Sequence, residues 1–459
     1  MIKKTTLLLG LLACLFSLQA QLNPAITAWL QNTTETGTYY VSGNSTAISN
    51  GELVNCQQVE YSADFVYVTA TGIPAYPTGP FLDGNPSQAT NQGGIYQFPL
   101  NPQQNTGTPT STNGGNIGLF INGVALFDYR DGVGWNSTTN SLCGGPGNTP
   151  CPGGPMAQTA WTRDAIPAER AGFDCAKGHP AMGNYHHHQN PSAFDLDLVV
   201  VSTICNLYDA DGLYMLDSTA HSPLIGFAYD GFPIYGGYGY KNADGSGGIA
   251  RIKSGYQLRN ITQRTEYADG TDVDDGPDID ATYFLGYFRE DYEWIEHQGE
   301  EDYLDIHNGR FCVTPEYPNG TYAYFSTVDE NWNSSYPYVV GPTFYGVSAN
   351  RSVNNVAEPT TIYTPNANSL SEAAFGNLNI EIYPNPASEL IAIQLGDLVN
   401  EDLQVELIDI TGKRIQSTKL SRGSTIAYFD IQTLYSGTYL VRISDEAHST
   451  TRKILISRD

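Results

Sequence analysis

The sequence predicts a mainly β protein: a large β-rich domain of sandwich-like type with long loops, followed by a small immunoglobulin-like β-sandwich. Three observations carry that expectation. Of 459 residues, 47 are Gly, 26 Pro and 31 Tyr, and only 15% are charged, which suits a turn-rich β fold better than helices. Stretches such as Val59 to Thr69, VEYSADFVYVT, place aromatic and β-branched residues in period 2 between Gly, Pro and Asn punctuation. After residue 375 the chain carries short alternating runs in about 80 residues, the usual scale of a sandwich.

The compartment is read from the N-terminus. Lys3 and Lys4 precede the apolar run Leu7 to Leu18, and Leu18-Gln19-Ala20 supplies a small residue at a cleavage point, so residues 1–20 read as a signal peptide. The rival, a lipoprotein box at Leu11 to Cys14, would leave much of the apolar run behind and puts bulky Leu12 where a small residue is wanted. Beyond residue 20 nothing approaches the roughly 18 apolar residues of a membrane span. The formal net charge of −26 argues against nucleic acid and anionic membrane as partners and favours cations.

From residue 21 to 110 the pattern is one of short antiparallel strands, either a separate domain or part of the next one. Ile117 to Tyr129 reads as a hairpin around Asn122-Gly123, two residues that tolerate positive φ. Gly132 to Pro155 is loop, and Trp161 to Ala176 holds one short helix. Asp195 to Ile204 is expected as a buried strand. Asp269 to Asp280, DGTDVDDGPDID, is an oxygen-rich loop that offers a Ca²⁺ site, although its spacing is not that of an EF-hand and Asp-Gly also makes plain turns. Residues 347–374, rich in Asn, Thr, Ser and Pro, read as a linker, which bounds the main domain at 111–346 and the last at 375–459.

The main chemical signal is Gly178 to Asp197, GHPAMGNYHHHQNPSAFDLD. If Tyr185 to His188 is extended, His186 and His188 share one face roughly 7 Å apart along the strand, while Tyr185 and His187 face the other way. Two imidazoles so placed can converge on one ion. Seven of the eight histidines lie between 179 and 307. His221 begins a loop before Ser222-Pro223 and is the next candidate ligand, followed by Asp230, then His307 and Asp305, which repeat the i, i+2 spacing. Such an N/O-rich set favours Zn²⁺ or Cu²⁺ over Ca²⁺.

These blocks carry a resemblance. Gly-x-Tyr-His-x-His-x-x-Pro at 183–191, His221 to Gly236 (HSPLIGFAYDGFPIYG) and Leu304 to Phe325 resemble the YHYH family of bacterial secreted proteins over residues 110 to 346. His187 stands where the pattern has Tyr, and Ile306 where it has an acid. The resemblance implies a fold rather than a reaction. In the last domain, Ile382 to Pro386, Ile410 to Lys413 and Gly437 to Val441 resemble the C-terminal sorting domain of the type IX secretion system of Bacteroidetes. That resemblance implies that the secretion machinery is a partner of residues 375–459, with export to the cell surface or medium.

Leaving Cys14 aside, Cys56, Cys143, Cys151, Cys175, Cys205 and Cys312 remain. An even count in a secreted chain suggests disulfides in one of 15 pairings, with Cys143 and Cys151 the best local pair. No Gly-x-Ser-x-Gly, phosphate loop or H-E-x-x-H occurs, and Ser222 reads as a Ser-Pro turn. An open metal position would make Asp305 or Asp230 a general base. The alternative class is a polysaccharide-binding or adhesion protein without metal chemistry, its platform drawn from Trp135, Tyr235, Tyr238, Tyr240, Trp294 and Trp332.

Overall fold

A computed structural model describes residues 22–81, 88–191, 218–348, 352–365 and 380–458, except 113, 146, 155, 396–402, 410–412, 422–423 and 445–448. The expected signal peptide and the strand expected at Asp195 to Ile204 lie outside the described residues. The chain divides into two compact units, Met1–Tyr363 and Thr364–Asp459. Among the described residues no helix is long and apolar enough to cross a membrane.

The first unit is built on an eight-stranded sheet. Its strands are β1 (Asn116–Phe120), β2 (Ala125–Phe127), β3 (His179–Ala181), β4 (Asn184–His187), β5 (Leu224–Ala228), β6 (Pro233–Tyr235), β7 (Gly309–Cys312) and β8 (Thr321–Phe325), in spatial order β3-β4-β2-β1-β5-β6-β8-β7. The β1–β2 hairpin turns at Asn122 and Gly123, where Gly123 has φ 77° and the Asn122 side chain accepts from the Val124 amide. Side chains alternate between two buried faces, as period 2 requires. Leu224 and Phe227 of β5 and Ala323 and Phe325 of β8 join one core; Ile225, Ala228, Tyr322 and Tyr324 join another.

The first of these cores is closed by a four-stranded sheet in the order Thr361–Tyr363, Cys56–Tyr61, Phe65–Ala70, Gly94–Pro99, which contributes Val59, Val66, Val68 and Phe98. Two sheets sharing one core make the sandwich-like layer, and residues 21–110 belong to the same unit as the rest. Thr361–Tyr363, inside the stretch that composition reads as linker, is a strand paired with Tyr61, Glu60 and Val59. Thr361, Ile362 and Tyr363 are themselves strand formers, and Tyr363 packs on the first core, but three residues do not stand out from the Asn, Thr, Ser and Pro around them.

Cys143 and Cys151 form a disulfide, and Cys175 is disulfide-bonded too. The reading that all six cysteines bridge is corrected by Cys56 and Cys312, which are free buried thiols in the first core. Packing among apolar side chains explains them as small hydrophobes.

The second unit is a sandwich of a three-stranded sheet (Ile380–Tyr383, Leu390–Leu395, Ile426–Asp430) and a four-stranded one (Arg414–Leu420, Leu403–Asp409, Gly437–Ser444, Ser449–Ile456). Ile391, Ile393 and Phe429 from one meet Val405, Leu407, Val441 and Ile443 from the other.

Candidate metal centre

β3 and β4 form the edge hairpin of the large sheet, closed by Met182 and Gly183 at φ 50° and 86°. Two left-handed residues in succession make the turn that matches strand twist, and glycine suits the second position. A Cβ on Gly183 would also lie 2.2 Å from Thr90 Oγ1. The register sets His179 opposite His186 and Pro180 opposite Tyr185. Cross-strand partners share a face, as do residues i and i+2. His179, His186 and His188 therefore come together, with one ligand atom from each lying within 4.8 Å of the others.

Tyr185 and His187 point the other way. The Tyr185 hydroxyl donates to both oxygens of buried Asp174, at 3.0 and 2.9 Å. His187 Nε2 pairs with the Tyr76 hydroxyl at 2.8 Å, and its Nδ1 donates to the Lys177 carbonyl at 3.1 Å. This second network fixes the back of the strand.

On the front, hydrogen bonds determine which nitrogens are available. His186 Nδ1 lies 2.9 Å from the Asn184 carbonyl and His188 Nδ1 lies 2.6 Å from the Asp128 carbonyl. Carbonyl oxygens only accept, so both Nδ1 atoms carry protons. In neutral rings the Nε2 atoms then bear lone pairs, and these two atoms face each other at 3.1 Å. Two lone pairs at that distance repel, so the pair is held either by a proton on one Nε2, as an N–H···N hydrogen bond, or by a metal cation that accepts both. A backbone carbonyl that receives the remote N–H is also the usual support of a metal-binding histidine.

A carboxylate completes the group. The short helix Ala165–Glu169 starts on Asp164, whose side chain accepts from the Ile166 amide at 2.9 Å and from the Tyr338 hydroxyl at 2.6 Å. Glu169 at its end places Oε2 3.2 Å from both His179 Nε2 and His188 Nε2. Donor atoms around tetrahedral zinc stand ~3.3 Å apart, from bond lengths near 2.0–2.1 Å, so these contacts are of the right size. Phe127 stacks on His186 at 3.8 Å and Phe173 meets His179 edge-on at 4.9 Å. The histidines are buried, and although the Glu169 side chain keeps 25% of its surface, its Oε2, the atom facing the rings, is shielded from solvent.

Burial, helped by the neighbouring rings His179 and His188, holds His186 well below the ordinary imidazole range. For His188 burial acts in the same direction but is outweighed by Glu169, which raises it. Burial would raise Glu169, yet hydrogen bonds to His179 and His188 hold it below the usual carboxylate range. Three ring nitrogens therefore converge, with the Glu169 carboxylate beside two of them.

The model of the family described as YHYH protein matches residues 95–338, more than half of the chain. The chain belongs to the YHYH protein family. All four residues of the cluster fall inside the matched region. The model described as a secretion system C-terminal sorting domain matches residues 381–457, so this YHYH protein is exported through the type IX system to the cell surface. No curated protein matches the chain.

Of the other residues expected at the site of this YHYH protein, none joins the cluster. Asp230 lies in the turn after β5. Ala228 is in register with Gly118, which pairs with Leu126 and so with His187, three strand spacings or ~14 Å across the sheet. Its carboxylate accepts instead from the Tyr324 hydroxyl at 2.6 Å and the Gly346 amide at 2.8 Å. His221 packs among Tyr235, Tyr240 and Phe325, with Nδ1 donating to the Ser222 carbonyl. Asp305 and His307 stand together beyond β7, the opposite edge: Asp305 accepts from Tyr322 and from the His307 amide, and His307 Nδ1 bonds Thr343 Oγ1 at 2.7 Å. Five strands separate that edge from β4. His179 and Glu169 are the members that inspection of the His-x-His pair passes over.

Two further expectations meet other geometry. In the acidic loop, Asp269 caps the Thr271 amide, and Asp280 caps those of Thr282 and Tyr283. Among the described residues the ligand-spaced group is the three histidines, and these aspartates cap turns. The aromatic residues do not lie as one flat shelf. Trp135, Tyr235 and Tyr238 are buried, and the Trp294 and Trp332 indoles donate to the Leu304 carbonyl and the Tyr238 hydroxyl.

Proposed function

We propose that the YHYH domain of this exported protein binds a divalent transition metal ion, Zn²⁺ or Cu²⁺, through His179, His186 and His188, with Glu169 as the fourth donor. The observation that carries the reading is the convergence of His179, His186 and His188, with one ligand atom from each within 4.8 Å of the others and the Nδ1 atoms of His186 and His188 turned away to backbone carbonyls. Three imidazoles and one carboxylate form a borderline donor set that suits zinc or copper, whereas Ca²⁺ takes six to eight oxygens.

Elemental mass spectrometry on the full-length chain, beside a His186→Ala/His188→Ala double variant, tests this. The expected result is stoichiometric zinc or copper in the wild type, lost in the folded variant. A wild type that stays metal-free after incubation with either ion, and whose melting is unchanged by chelator, would refute it.

A further inference from the structure

Away from the histidines, a cleft of about 310 Å³ lies beside the antiparallel ribbon Tyr256–Leu258/Tyr292–Trp294. That volume is at the lower end of small-molecule pockets, ~300–1,000 Å³. Its walls include Tyr256, Tyr267, Asp269, Arg289, Tyr292 and Tyr336. Tyr292 and Tyr336 stack in parallel at 4.2 Å, and Tyr256 meets Tyr336 edge-on at 5.3 Å. The Tyr256 hydroxyl is tied to the Ile306 carbonyl at 2.8 Å, which fixes that ring.

Arg289 is the polar centre of this wall. Its Nε donates to Glu290 Oε1 at 2.5 Å and its Nη1 to the Tyr129 hydroxyl at 3.2 Å. Glu290 is itself anchored, accepting from the Thr162 amide at 2.8 Å and the Thr162 hydroxyl at 2.9 Å. A guanidinium has five N–H donors in a rigid fork, so these two bonds hold its plane and leave others for a partner. The side chain keeps 28% of its surface. A preorganised, partly exposed fork beside ring faces is complementary to a planar anion attached to a ring. Asp269, exposed on the same wall, adds an acceptor for a hydroxyl. Asp269 and Glu290 line the same cleft, so it offers no net positive field and an anion would be held by directed bonds from the fork.

We propose that this cleft binds a small carboxylate carried on a ring, the carboxylate held by Arg289 and the ring lying against the tyrosines. Acidic sugars and aryl acids share that chemistry. Calorimetric titration of the full-length protein with glucuronate and with benzoate separates them: binding of only one names the source, and binding of both assigns the shared carboxylate. Glucose and benzamide, the neutral counterparts, are expected to bind at least about tenfold more weakly, as is the acid to Arg289→Lys, which keeps charge but loses the fork. Tyr267→Ala, at a side chain outside the Arg289 bonds, is expected to weaken binding severalfold and serves if Arg289→Lys does not fold. The proposal is overturned if neither acid binds, if neutral analogues bind equally well, or if both variants retain wild-type affinity.

Discussion

His179 stands directly across a two-residue hairpin from His186, with ring centroids 4.6 Å apart. This pairing makes His179 as much a member of the cluster as either residue of the His-x-His pair. His179→Ala is expected to lower Zn²⁺ affinity by more than the roughly 10–100-fold typical of losing an outer support. His221→Ala, on a residue packed among Tyr235, Tyr240 and Phe325, should leave affinity unchanged. Competition against a chromophoric chelator reads both; equal losses would place His221 in the site.

In the proposed site Glu169 would supply the charge that offsets the cation. Glu169→Gln preserves size and removes that charge, so affinity should fall by about tenfold or more, the scale of one charge-assisted contact. The same chelator assay checks it, and an unchanged affinity would leave Glu169 as a bystander 3.2 Å from two rings.

The hairpin turn carries the register on which the cluster depends. Gly183 has φ 86°, and a Cβ there meets Thr90 Oγ1 at 2.2 Å. Gly183→Ala should therefore cost at least about 1–2 kcal/mol of stability and reduce metal affinity with it. Calorimetry with and without Zn²⁺ separates the two losses; a fully stable variant with intact affinity would show that the register is set elsewhere.

His186 and His188 were legible because period 2 puts them on one face whatever surrounds them. His179 was less so: its place depends on reading Met182-Gly183 as a hairpin turn, and a glycine in that position was the available signal. Glu169 has no local signal, because its position follows from a helix anchored through Asp164 to Tyr338. His221, Asp230, Asp305 and His307 share the family blocks with the cluster, but sequence proximity to a motif says nothing about strand order, which separates them. In the second unit, Arg414–Leu420 escapes pattern reading because its strand faces are largely polar and half-exposed. The fold class was the most legible feature, since turn residues and alternation recur along the whole chain.

Cys56 and Cys312 are buried and unpaired. A thiol reagent should label neither in the native protein, and both after unfolding without reductant. Mass mapping of labelled peptides checks this. Absence of label on both in the unfolded chain would mean that they are oxidised to a bridge after export.

Asp230 provides a pH test. Burial pushes its carboxyl up to about 6, while hydrogen bonds from Tyr324, Gly346 and Phe232 pull the other way and only partly compensate. The native state therefore holds the proton more tightly than the unfolded chain. Below the ordinary carboxyl range both states are protonated and nothing is lost. As pH rises towards 6 the unfolded state ionises first, so stability falls, and above that value the deficit is constant at about 3 kcal/mol. Asp230→Asn cannot ionise, so it should gain on the wild type by that amount between pH 4 and 7.5, on top of any constant offset from altered hydrogen bonds. Denaturant unfolding of the two proteins across this range measures the difference. Parallel stability curves would mean that Asp230 stays ionised in the folded protein, with the Tyr324 hydroxyl at 2.6 Å and the Gly346 amide sufficient to hold its charge.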